Sequence, residues 1–175
     1  MAWEIPSDTF DPEKLDGFDN AAPGRYHVEV VSVDDEATSK SGSPQMQVDY
    51  EVLAGTPDDQ EGKPHRDYFA RTDKAFKRAL IFAVATGLTT KEELQQLKAA
   101  GKNPTIDFTL AVGRQLCVEI EPGEYKGKPK GEIGFGMWHV DAEDAKAIPK
   151  NQGKLNELGN PTNDAGPADG DNPFV

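Results

Sequence analysis

Two adjacent aromatics, Tyr68 and Phe69, stand between Arg66 and Arg71, and the cations Lys74, Lys77 and Arg78 follow shortly after. With Lys63, segment 63–78 holds six basic and two acidic side chains and nets +4; the whole chain carries −12, so everything outside the segment sums to −16. Ammonium and guanidinium groups neutralise phosphates, and aromatic faces stack bases. A local cationic patch beside rings therefore suits an unpaired polynucleotide. Taken alone, the same stretch fits a solvated helix face next to an ordinary core strand better. Further along, Tyr125 lies among Lys126, Lys128 and Lys130, and Trp138 closes the apolar run after them.

The elements that must position these residues follow from periodicity. Segment 24–33 alternates Tyr26, Val28 and Val30 with His27 and Glu29. Segment 45–53 alternates Met46, Val48, Tyr50 and Val52 with Gln47, Asp49 and Glu51. Both read as strands with one buried face, paired to each other. Between them the polar stretch 34–44, holding Lys40, reads as a mobile flap. Segment 65–71 is a third strand with an aromatic and a base on each face. Asp73 is a candidate cap for a helix whose stripe is Phe76, Leu80, Ala83 and Val84, with Gly87 as its stop. Thr90 and Glu93 form a capping box for a second, surface helix ending near Gly101. A fourth strand spans 114–121, a lysine-rich loop spans 122–131, and a fifth strand spans 132–140 with Ile133, Phe135 and Met137 on one face. Gly134 and Gly136 in that strand signal a bend or a close approach.

The margins read differently. Residues 1–23 form an extended acidic arm pinned to the surface by Trp3, Phe10, Leu15 and Phe18. Residues 149–175 form a disordered acidic tail, which leaves 24–148 as the one folded domain. At 175 residues and 36% hydrophobic content, the chain suits a single domain with polar ends. One cysteine, Cys117, excludes an intramolecular disulfide and a cysteine-built zinc site. His27, His65 and His139 are scattered without ligand spacing, so no metal is expected. The chain shows no Gly-rich phosphate loop, nucleophile elbow or histidine–carboxylate cluster, which points away from an enzyme and from a cofactor. With neither a leader-like start nor a run of about 20 apolar residues, the expected location is the cytoplasm, with no membrane partner.

The order strand, strand, strand, helix, strand, strand is that of an OB-fold, in which ligands lie across strands two and three between the loops joining strands one and two and strands four and five. The segments PGRYHVEVVSV, SGSPQMQVDYEVLAGT, GKPHRDYF and GRQLCVEIE give the chain, from about Phe18 to His139, a pattern that resembles a family of phage-encoded single-stranded DNA-binding proteins. The resemblance implies an OB-like barrel with helices between strands three and four. It also implies sequence-tolerant binding of single-stranded DNA in replication or recombination, without catalysis. The candidate contacts are Tyr68, Tyr125 and Trp138 for stacking and Lys40, Lys63, Arg66, Arg71, Lys74, Lys126, Lys128 and Lys130 for phosphates, with weaker roles for Lys77 and Arg78. Asp49 and Glu51 oppose phosphate on the second strand and favour a path nearer the third strand and the last hairpin. The terminal DGDNPFV resembles the acidic, aromatic-ended tails of such proteins, which implies that Asp169, Asp171, Pro173 and Phe174 dock replication or recombination proteins and compete for the groove. The alternative is an acidic protein-interaction or assembly module that never touches nucleic acid.

Overall fold

The computed structural model describes residues 2–9, 12 and 20–158. Five antiparallel strands, β1 (Gly24–Thr38), β2 (Pro44–Thr56), β3 (Pro64–Ala70), β4 (Gln115–Tyr125) and β5 (Lys128–Trp138), form one sheet in the order β3-β2-β1-β4-β5. Helices α1 (Asp73–Ala85) and α2 (Lys91–Ala99) lie between β3 and β4 in the chain, and α3 (Gln152–Leu158) follows β5. The period-two pattern places the inner face as expected: Tyr26, Val28, Val30, Met46, Val48, Tyr50, Val52 and Phe69 are all buried. β3 resolves its ambiguity in one direction, with His65, Asp67 and Phe69 inward and Arg66, Tyr68 and Ala70 outward.

Two stretches expected as loops are strands. β1 runs on to Thr38 and pairs with Pro44, so the anticipated flap is a two-stranded ribbon. Its turn is closed by Ser39 N–H donating to Ser43 O (2.9 Å) and by Ser43 N–H donating to Ser39 Oγ (3.1 Å). The serines that suggested mobility instead satisfy the turn. Likewise Tyr125 pairs with Lys128 across Lys126 (φ 52°) and Gly127 (φ 78°). Two consecutive left-handed residues make the tight hairpin whose twist matches its strands.

α1 is capped by Thr72, whose Oγ1 accepts from Ala75 N–H at 3.3 Å, so Asp73 is the first helical residue rather than the cap. Its carboxylate still complements the helix N-terminus. Gly87 (φ 76°) ends the helix as anticipated. The buried stripe is Ala75, Ala79, Phe82 and Ala83, whereas Phe76 is half exposed. Small alanines let the helix axis approach the sheet, so the stripe rotates toward them and Phe82 carries the contact, its ring 5.6 Å from Phe69 and 6.2 Å from Tyr50. Burying Phe82 contributes about 1.5–3 kcal/mol; a bulky side chain at Ala79 would push the helix off. α2 follows the expected cap, Glu93 N–H donating to Thr90 Oγ1 at 3.1 Å, and buries none of its residues fully.

Arg78 joins the two edge strands. Its guanidinium donates to Asp67 Oδ2 (2.6 Å) and Tyr68 O (3.3 Å) on β3, and to Ile133 O (2.8 Å) and Gly134 O (3.0 Å) on β5. It also lies 4.5 Å from the Phe69 ring centroid. The side chain anticipated as a weak phosphate contact is thus the clasp that curls the sheet back on itself. Burial raises the Asp67 carboxyl above its ordinary range, against the pull of Arg78; removing either partner would strand the other in the interior.

The folded domain also runs past the boundary expected at residue 148. Asn151 N–H donates to His27 Nδ1 (3.0 Å), Asn151 Nδ2 to Leu53 O (3.4 Å), and Gln115 Nε2 to Lys154 O (3.0 Å). These bonds dock α3 on the outer face of β1 and β4, so residues 149–158 belong to the fold and not to a tail. At the other end Trp3 is 86% exposed and pins nothing, and Ser7–Thr9 makes a single 3-10 turn. Phe10, Leu15 and Phe18 lie outside the described residues.

Candidate functional site

A groove of about 890 Å³ opens along the outer side of β2 and β3 and is walled on the far side by the β4–β5 hairpin. Its β-sheet side presents Asp49, Glu51, Arg66 and Tyr68; its hairpin side presents Pro122, Pro129 and Lys130. Residues 20–23 lie along it, tied by Ala21 N–H to Pro64 O (3.0 Å) and by Ala22 N–H to Gln60 Oε1 (2.9 Å). Val31 reaches it by ordinary alternation after the buried Val30, and the register slip between Val30 and Ser32 turns Ser32 outward beside it.

Tyr68 is 40% exposed and its ring is available to stack. Arg66 is not an idle cation: its Nε and Nη2 donate to Asp49 Oδ1 (2.7 Å) and Oδ2 (3.2 Å), and Ser32 Oγ donates to Asp49 Oδ2 (2.9 Å). The Arg66 hydrogen bond holds the Asp49 carboxyl below its usual range, and Asp49 in turn raises Arg66. The exposed fork is worth little to stability, but it fixes the guanidinium plane beside Tyr68. Opposite, Lys130 Nζ and Lys126 Nζ lie 5.3 and 5.4 Å from the Tyr125 ring centroid, so both cations and the half-exposed ring form one cluster at the hairpin. Beneath the groove His65 stacks on Tyr50 at 6.4 Å. Burial first, and Lys130 second, lower its pKa to about 4, so it is neutral at pH 7.

The groove therefore gathers Arg66, Tyr68 and Lys130, with Tyr125 and Lys126 adjoining. The other anticipated contacts lie elsewhere. Lys40 sits in the β1–β2 turn, and Lys63 in the turn before β3. Arg71 donates to Asp35 O at 3.1 Å and braces the β1 ribbon, Lys74 is exposed in the first turn of α1, and Lys128 starts β5. Trp138 is not in the lining. It packs with Cys117, Val140, Ala145 and Ile148 on the opposite outer face, with the Arg25 guanidinium 5.6 Å from its ring centroid. Burial raises the Cys117 thiol to about 11, so it behaves as a core residue. Asp169, Asp171, Pro173 and Phe174 lie outside the described residues.

Sequence reasoning missed residues 20–23, Val31 and the two prolines of the hairpin as groove walls. The Val30-Val31 doublet, which breaks alternation, was the available signal. Among the described residues no cluster of three or more His, Cys, Asp or Glu side chains could hold a metal ion, and no helix is long and apolar enough to cross a membrane.

The profile of the family DUF669, described as a protein of unknown function, matches residues 8–115, more than half of the chain. The chain belongs to that family, and the matched span ends at the first residue of β4. No curated protein matches the chain.

Proposed function

We propose that this DUF669 protein is a non-enzymatic, phage-type single-stranded DNA-binding protein that coats exposed strands in replication or recombination without sequence specificity. The observation that carries the reading is the groove itself: an open channel across β2 and β3, with Tyr68 and a fixed Arg66 on one wall and the Tyr125–Lys126–Lys130 cluster beside the other. The strand order and the helices between β3 and β4 support an OB-fold reading, in which ligands occupy this side of the sheet. Rings supply stacking that tolerates any base, and the hairpin lysines supply counter-charge to phosphates.

The test is titration of the full chain with fluorescently labelled oligothymidine, followed by anisotropy, because Trp138 lies away from the groove and is a poor reporter. Wild type should bind at low salt, and Tyr68→Ala should weaken binding by about tenfold while leaving the fold intact. Absence of wild-type binding at low salt would overturn the reading.

One observation favours a second reading. The groove lining balances Asp49 and Glu51 against Arg66 and Lys130, and Asp49 already engages Arg66. A neutral lining suits a protein-interaction or assembly module. A freshly purified chain that carries a stoichiometric protein and no nucleic acid would favour that module.

A further inference from the structure

Phe135 is 46% exposed, although alternation places it inside with Ile133 and Met137, which are buried. The cause is a bulge: Val118 pairs with Met137 and Ile120 with Ile133, so β5 takes four steps where β4 takes two. A Cβ on Gly136 would stand 2.9 Å from Glu119 Cβ, so this close approach needs a glycine. The displaced ring faces a cation, with Lys77 Nζ 5.4 Å from its centroid. Phe76, the preceding residue on α1, is likewise half exposed, and Lys74 is exposed one turn earlier.

Arg78 connects this corner to the groove. The same guanidinium donates to Tyr68 O and to Gly134 O, so Tyr68 and the residue before Phe135 stand one guanidinium apart across the β3–β5 seam. Tyr68 and Phe135 each expose an aromatic ring, and they lie on the two sides of that seam.

We propose that Phe135, with Lys77 over its ring, is a second stacking site for single-stranded DNA, reached by a strand that leaves the groove at Tyr68 and crosses the seam. The proposal rests on the strand-binding reading of the groove. A cation held over a π face meets both parts of a nucleotide, since the ammonium takes the phosphate and the ring takes the base. Lys74 and Lys77 outnumber the exposed Asp73 in the first turns of α1, on a chain of net −12, and this local excess suits a polyanion better than it suits another copy of the chain.

The experiment compares labelled oligothymidines of about 4 and about 16 nucleotides, the range that one OB-fold covers, on the full chain and its variants. Phe135→Ala should weaken the longer oligomer by about tenfold, with the loss confined to that length, and Phe135→Tyr should restore it. Lys77→Gln should lower the salt slope for the longer oligomer by about one. Tyr68→Ala should weaken both lengths. Wild-type affinity for the longer oligomer in Phe135→Ala overturns the proposal and leaves the corner to a protein partner. Equal loss at both lengths also overturns it, since the substitution would then act through the fold. Failure of the wild type to bind either length removes the groove reading itself, an outcome distinct from both.

Discussion

Across β4 the outer face of the sheet is covered: Cys117 and Trp138 lie under Val140, Ala145 and Ile148, and the chain beyond is fastened by His27 and Gln115. Across β2 and β3, among the described residues, only 20–23 run along the outer face, and Tyr68, Val31 and the Arg66–Asp49 fork are exposed beside the hairpin. Both faces begin as the polar side of alternating strands, so burial was not settled by pattern alone. What separates them among the described residues is the segment after β5, which satisfies buried polar groups on the β1–β4 side. A half-exposed tyrosine and valine on this face contribute little to the core, and the proposed strand binding would use the Tyr68 ring for stacking.

If the two faces divide the work, substitutions on the covered side and at the clasp should change stability and leave DNA affinity alone, while substitutions on the bare side should do the reverse. The largest effect is expected at the clasp. Arg78→Met leaves Asp67 buried without its cation and frees three carbonyls, which should cost about 3–5 kcal/mol in urea unfolding. A small loss would show that the seam is held by something else.

Acid comes next. His65 has a folded pKa of about 4 against an ordinary 6.5. Its folded-state pKa is depressed, so the unfolded chain binds the proton first, and stability is full above 6.5 and falls as pH drops toward 4. The loss is on the order of 3 kcal/mol over that window. His27 and His139, lowered chiefly by burial, act in the same sense, while Asp67, raised by burial, acts in the opposite one. The readout is therefore a difference: urea midpoints of His65→Phe should fall less steeply with acid than those of the wild type. Parallel profiles would refute the assignment.

On the covered face, Gln115→Leu removes the acceptor of the His27 ring Nε2 and the side-chain hydrogen bond to Lys154 O. It should destabilise by about 1–3 kcal/mol with unchanged oligothymidine affinity; a matching loss of affinity would blur the division between faces. The smallest effect is expected on the bare face. Lys130→Gln should leave the thermal midpoint unchanged and lower the salt slope of DNA binding by about one.

Much of this architecture was legible in advance. Strand faces such as Met46, Val48, Tyr50 and Val52 follow from a period of two that burial enforces, and Thr90, Gly87 and Gly101 mark helix ends by local chemistry. The ribbons were not legible, because residues 34–38 are polar on both sides and only pairing with the opposite strand, invisible in one sequence, makes them β. Phe76 and Phe135 were misplaced because pattern cannot say that alanines will define the packed side of α1, nor that β5 bulges. Arg78 shows the limit most plainly. As a sequence feature it is one more cation in a basic run, and its role arises from contacts with residues 10 and 55 positions away. Of the anticipated contacts, Arg66, Tyr68 and Lys130 line the groove, whereas Trp138 packs beside Cys117 away from it, a placement that the aromatic end of the last hairpin did not reveal.

The most direct measurement is the affinity of the full chain for oligothymidine as a function of salt. The account predicts binding at low salt whose logarithm falls linearly with the logarithm of salt concentration, as phosphates exchange their counterions for the hairpin lysines and Arg66. No binding at low salt, or an affinity indifferent to salt, would contradict it.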